Sequence, residues 1–106
     1  AVAATGKGEE CVRACGSFLA VEMMRLGKSP QEACEIAAKR VIQLNLLSHH
    51  NRDHEYQVGF IAIDVNGETG AASVRDGFEY ALCKGDENKL LQCKYIINQS
   101  FEIGDL

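Results

Sequence analysis

The sequence predicts an α+β fold, and three observations carry that prediction. A short, apolar, extended-looking segment opens the chain, apolar residues at helical spacing fill the first half, and β-branched or aromatic runs broken by Asn-Gly and Asp-Gly fill the second. The chain has 106 residues, 46% hydrophobic and 25% charged, with 10 Gly, 1 Pro and no Trp. Both fractions are average for a soluble globular domain. Residues 1–106 therefore read as one segment without internal repeat, low-complexity tract or domain boundary, and Asn98 to Leu106 reads as a tail.

Taken in order, Ala1 to Thr5 is a strand, and Thr5-Gly6-Lys7-Gly8-Glu9-Glu10 is a tight turn leading into a helix whose first-turn acids complement the helix dipole. From Glu9 to Leu26, Val12, Cys15, Leu19, Met23 and Leu26 follow one helical stripe, and Cys11, Ala14, Phe18, Ala20 and Val21 widen it. That breadth predicts a single helix covered on more than one side. Gly27 fits the left-handed position after its last turn. Ser29-Pro30-Gln31-Glu32 then opens a second helix, with Ser at the N-cap, Pro at the first helical position and Glu closing a capping box. Its stripe of Ala33, Ala37, Val41 and Leu44, with Cys34 and Ile42 beside it, predicts a helix to about Asn45 lying close and antiparallel to the first. Tyr56 to Val65 reads as a strand buried on both faces, Asn66-Gly67 as a hairpin turn, and Gly70 to Val74 as the returning strand. Asp76-Gly77 is a second hairpin signal before Phe78 to Cys83, Lys84 to Asn88 is a polar turn, and Leu90 to Ile97 is one more strand. The predicted order is strand, two antiparallel helices, antiparallel meander.

Eleven Lys plus Arg against fifteen Asp plus Glu give a net charge of −4, and the pI is near 5.3. No overall positive field attracts phosphate backbones, so neither nucleic acid nor an anionic membrane is an expected partner. The longest apolar stretch, near Val58 to Ile63, falls far short of the roughly 18 residues of a spanning helix. Ala1-Val2-Ala3-Ala4 has no initiator Met, positive n-region or long apolar h-region, so the opening is expected to be that of a processed or excised segment rather than a signal peptide.

Five Cys in 106 residues fall below the roughly 8–10% of a disulfide scaffold. Cys11 and Cys15 lie four apart on one predicted helix, where a bridge is strained, and read as small buried residues. Cys83 and Cys93, in two extended segments either side of a polar turn, are a candidate cross-hairpin bridge for an oxidising compartment. No paired Cys-x-x-Cys or Cys/His spacing calls for zinc. The three imidazoles of His49-His50-Asn51-Arg52-Asp53-His54 read as a solvated loop, and neither a metal nor a cofactor is expected.

The segment with chemical potential is Thr5-Gly6-Lys7-Gly8, at a strand-to-helix transition where backbone N–H groups go unpaired. A dinucleotide loop needs a third glycine where Cys11 stands, and Glu9 and Glu10 repel a pyrophosphate. A Walker loop needs Ser or Thr after the Lys, but Gly8 follows Lys7. Two readings stay open: a turn that needs glycine for its backbone angles, and an oxyanion hole in which the Thr5 hydroxyl and Gly6 N–H stabilise a carbonyl oxygen during acyl transfer.

A resemblance bears on that choice. Ala3-Ala4-Thr5-Gly6-Lys7-Gly8-Glu9-Glu10, Ala20-Val21-Glu22-Met23-Met24, Gly27-Lys28-Ser29-Pro30, Val58-Gly59-Phe60-Ile61-Ala62 and Asp76-Gly77-Phe78 are collinear with the later part of the glycosylasparaginase β-subunit. The chain resembles these N-terminal nucleophile hydrolases up to its tail. The resemblance implies part of a four-layer αββα sandwich and a precursor that cleaves itself before a Thr. It also implies attack by that Thr on the amide joining N-acetylglucosamine to asparagine, with its α-amine as base. Thr5 and Gly6 match the family's oxyanion pair. The nucleophilic Thr, a supporting Thr, and the Arg and Asp that grip the amino-acid end lie upstream of the matching positions, and Ala1 offers no substitute. The implied partners are a glycosylated asparagine substrate, an α-subunit, upstream β-subunit residues and an (αβ)2 assembly. Isoaspartyl peptidases and L-asparaginases share the Thr-Gly-x-Gly element and are the alternative within the fold, while a non-catalytic α+β interaction module is the alternative outside it. Asn98-Gln99-Ser100 is a glycosylation sequon and, together with a Cys83 to Cys93 bridge, fits a secretory or lysosomal route, or a periplasmic one for a bacterial source.

Overall fold

A computed structural model describes residues 1–47 and 56–97. The elements run β1 (Val2–Gly6), α1 (Gly8–Ala14), α2 (Gly16–Arg25), α3 (Pro30–Leu47), β2 (Val58–Ile63), β3 (Thr69–Ser73), β4 (Glu79–Lys84), β5 (Glu87–Gln92) and β6 (Lys94–Tyr95). The fold is α+β, as the sequence predicts. One sheet has the order β1-β2-β3-β6, and β4 and β5 form a separate two-stranded ribbon.

The three helices cover one face of the larger sheet. Val58, Phe60 and Ala62 of β2, with Ala72 and Val74 at β3, meet Ala33, Cys34, Ala37, Ala38, Val41 and Ile42 of α3 in a single core. Small residues make this approach close: a Cβ on Gly70 would stand 2.2 Å from the Gln31 backbone nitrogen. The Gln31 side chain also acts as a strand neighbour, accepting from Ala71 N at 3.0 Å and donating to Ala71 O at 2.7 Å. The opposite face is less covered. Ile61 and Ile63 are 40% and 46% exposed, so among the described residues β2 is buried on its helix face and only partly on the other.

The predicted Ser29 N-cap and Gly27 C-terminal turn form. Ser29 Oγ accepts from Glu32 N at 3.1 Å at the start of α3. Gly27, at φ +103, closes α2 as its N–H reaches Met24 O and Lys28 N–H reaches Met23 O, each at 3.0 Å. The Asn66-Gly67 hairpin is also present: Asp64 Oδ1 accepts from Asn66 N and Glu68 N, both at 2.9 Å.

Four expectations need correction. The single helix from Glu9 to Leu26 is two, broken at Cys15, which adopts φ 49 and is exposed rather than buried, with Cys11 only partly buried. The break brings Gly16 against Phe60, where a Cβ would lie 2.4 Å from the ring. It also rotates the buried stripe onto Ala14, Gly16 and Ala20, leaving Val12 and Leu26 76% and 60% exposed. Second, the meander ends at β3. β2 pairs antiparallel with β1 and β3, but the chain after Asp76-Gly77 leaves the sheet as the β4–β5 ribbon and returns as β6 parallel to β3. Third, the strand expected from Leu90 to Ile97 is interrupted at Cys93, whose N–H donates to Phe78 O at 2.9 Å. Fourth, the ribbon register sets Cys83 opposite Asn88, not Cys93, and both thiols are free. The histidine-rich loop, the sequon and the tail lie outside the described residues.

Candidate functional site

Thr5 and Gly6 end β1 opposite Gly59 and Val58. Ladder hydrogen bonds fix which groups face inward: Ala1 and Ile63 exchange both bonds, at 2.8 and 2.9 Å, and Lys7 N donates to Gln57 O at 2.9 Å. Because bonded pairs alternate along an antiparallel ladder, the odd residues of β1 face β2 and the Gly6 N–H faces away from it. Side-chain alternation sets the other half. Val2 and Ala4 pack toward the helical core, so Thr5 projects from the opposite face, and it is exposed.

The turn requires glycine at position 6. Gly6 has φ +114, and a Cβ there would stand 2.1 Å from Gln57 O. Lys7 leads into α1, its carbonyl accepting from Glu10 N at 3.1 Å and Cys11 N at 3.3 Å. Gly8 has open space around its missing Cβ, so the two glycines of the motif differ in kind. Glu9 and Glu10 do occupy the first turn of α1. Glu10 is buried, with Oε1 3.6 Å from an Arg13 guanidinium nitrogen and Oε2 without a hydrogen-bond partner among the described residues.

Two residues that sequence reasoning did not single out for a role hold this region. Gln57 supports the turn through its carbonyl, while its side chain accepts from Arg75 N at 2.8 Å and donates to Arg75 O at 2.7 Å. Phe78 lies over Gly59, where an ideal Cβ would meet its ring at 2.5 Å. Neither has a periodic signal: Gln57 is a polar residue near the start of an apolar run, and Phe78 follows a turn. An apolar groove of about 290 Å³ between Ala1-Val2-Ala3, Ile61, Ile63, Tyr80 and Leu82 lies at the other end of β1 and does not touch Thr5. Among the described residues no group of three His, Cys, Asp or Glu is placed to hold a metal ion, and no helix is long and apolar enough to cross a membrane.

Burial pushes the Cys34 thiol up to about 12, helped by the nearby charges of Cys93 and Glu35, and burial also raises Cys11 and Cys93. Such thiols are poor nucleophiles.

This α+β chain sets an outward Gly6 N–H beside an exposed threonine at a strand-helix junction, and comparison with known proteins gives it a family. The family model described as Asparaginase (Asparaginase_2) matches residues 1–92, and the chain belongs to that family. An N(4)-(beta-N-acetylglucosaminyl)-L-asparaginase from Elizabethkingia miricola is 42% identical over 91 residues, covering 85% of this chain and 26% of the relative. Putative N(4)-(beta-N-acetylglucosaminyl)-L-asparaginases from Drosophila persimilis and Drosophila yakuba are 42% and 40% identical over 72 residues, covering 68% of this chain and 16% of each relative. The chain thus spans about a quarter or less of the relatives it matches.

Proposed function

We propose that this chain is the later part of the β-subunit of a glycosylasparaginase, which hydrolyses the amide between N-acetylglucosamine and asparagine in glycoprotein breakdown. Thr5 and Gly6 supply the oxyanion hole. The observation that carries the proposal is the pairing of an exposed Thr5 side chain with a Gly6 N–H turned away from β2, in a turn that Gln57 O holds to glycine. As an upstream N-terminal Thr attacks the amide carbonyl, negative charge grows on its oxygen. The Thr5 hydroxyl and Gly6 N–H then donate to that oxygen, in positions set before the reaction begins.

The names of the relatives support this substrate over the β-aspartyl peptides of isoaspartyl peptidases. In this proposal, upstream β-subunit residues and an α-subunit supply the nucleophile and the groups that grip the amino-acid end. They complete a four-layer αββα sandwich and assemble as (αβ)2. The sequon supports a lysosomal compartment, with periplasm as its bacterial counterpart.

The test is Thr5→Val in the full-length protein, assayed on aspartylglucosamine. Loss of one oxyanion donor lowers the rate by about 10²-fold while folding is kept, because Thr5 is exposed and valine suits a strand. An unchanged rate would leave the turn a structural one. The isolated 106-residue chain is expected to be inactive, and a parallel assay on a β-aspartyl dipeptide measures preference within the family.

A further inference from the structure

Resting on the amidohydrolase assignment above, we infer that Phe78 is a specificity-determining residue whose ring receives the neutral substituent on the amide nitrogen, the apolar face of the sugar. Thr5 and Gly59 are directly opposed across β1 and β2, and opposed residues carry their side chains on the same face with Cβ positions about 5 Å apart. Gly59 has no side chain. The Phe78 ring occupies that space instead, with Cε2 and Cζ both 2.5 Å from where a Cβ would stand. An aromatic ring is thereby placed over the residue opposite the exposed Thr5, on the side away from the helical core.

The ring is held in place by its backbone. Phe78 O accepts from Cys93 N at 2.9 Å, and the preceding turn is closed by Asp76 Oδ1 accepting from Gly77 N at 2.8 Å, with Gly77 at φ +100. Gln57 ties the same turn to the base of the Thr5-Gly6 element through Arg75. Phe78 is nevertheless only half-buried. A positioned, partly exposed hydrocarbon ring next to the carbonyl-binding threonine offers nothing to a carboxylate. It suits an uncharged ring with a C–H face, which is the leaving group of the proposed substrate rather than its amino-acid end. Glycine at position 59 is then a specificity requirement, since any side chain there would displace the ring.

The experiment uses the full-length protein and three amides that differ in the nitrogen substituent: aspartylglucosamine, β-aspartyl-glycine and unsubstituted L-asparagine. Phe78→Ala is expected to lower kcat/KM for aspartylglucosamine about tenfold relative to L-asparagine, mainly through KM, with Phe78→Tyr retaining the wild-type ratio. Phe78→Leu keeps most of the volume over Gly59 and tests the aromatic face if the alanine variant folds poorly; it too should lose the preference. An equal fall on all three amides, or an unchanged ratio in the leucine variant, would overturn the inference and make the ring a packing cap. A wild-type protein that cuts none of the three would instead refute the amidohydrolase assignment, and this inference with it.

Discussion

Replacing Gly6 by alanine tests most directly whether the turn is built to hold an N–H group at a fixed point. At φ +114 an L-residue is strained, and a Cβ would sit 2.1 Å from Gln57 O and 2.9 Å from Val58 Cα, both backbone atoms with no rotamer to change. The strain costs about 1–3 kcal/mol. Relieving the clash requires β1 and the segment at Gln57 to separate, which weakens the 2.9 Å bond from Lys7 N to Gln57 O and adds about 1 kcal/mol. The expected destabilisation is therefore about 2–4 kcal/mol, read by urea denaturation of the full-length protein. Activity should fall further than Thr5→Val lowers it, by about 10³-fold, because one donor moves and its neighbour moves with it. Gly8→Ala is the control. A Cβ at position 8 would meet no atom within 4 Å and the residue begins a helix, so stability should stay within about 0.5 kcal/mol of wild type. A Gly6→Ala protein with wild-type stability and rate, or a Gly8→Ala protein equally impaired, would refute the reasoning.

Other outcomes follow from the packing. Gln31→Ala removes both hydrogen bonds to Ala71 and leaves two backbone groups of a buried residue unpaired, so it should cost about 2–4 kcal/mol in chemical denaturation. Gly70→Ala forces α3 away from β3, since its Cβ would stand 2.2 Å from Gln31 N, and should be at least as damaging by the same measurement. Cys34 should resist alkylation in the native protein and react on unfolding. Its folded pKa, about 12, lies above the ordinary thiol value of 9.0, so the folded state holds the proton more tightly. Its contribution is fully present below the ordinary thiol pKa and is lost as pH rises toward 12, which alkaline denaturation curves of wild type and Cys34→Ala would reveal as a steeper loss for wild type. Peptide mapping without reductant should find no Cys83–Cys93 link, because Cys83 faces Asn88.

Local chemistry made much of this molecule legible. Ser29-Pro30 marks the start of a helix because a hydroxyl acceptor and a residue without an N–H suit unpaired donors, and Gly27 and Asn66-Gly67 mark turns because few other residues take those angles. The strand-turn-helix at Thr5-Gly6 was legible for the same reason. The break at Cys15 was not, since it goes with the packing of Gly16 against Phe60, far along the chain. Gln57 and Phe78 were opaque as site residues because their importance comes from what stands across the sheet.

By itself, then, the sequence determined the α+β class, the helix caps, the Asn-Gly hairpin and the candidate Thr5-Gly6 pair, all of which depend on residues within a few positions of one another. Only the tertiary structure decided that β6 runs parallel to β3, that the β4–β5 ribbon leaves the sheet, and that Phe78 lies over Gly59 beside Thr5. Those outcomes depend on register and on the absence of a single Cβ, and neither has a periodic trace along the chain.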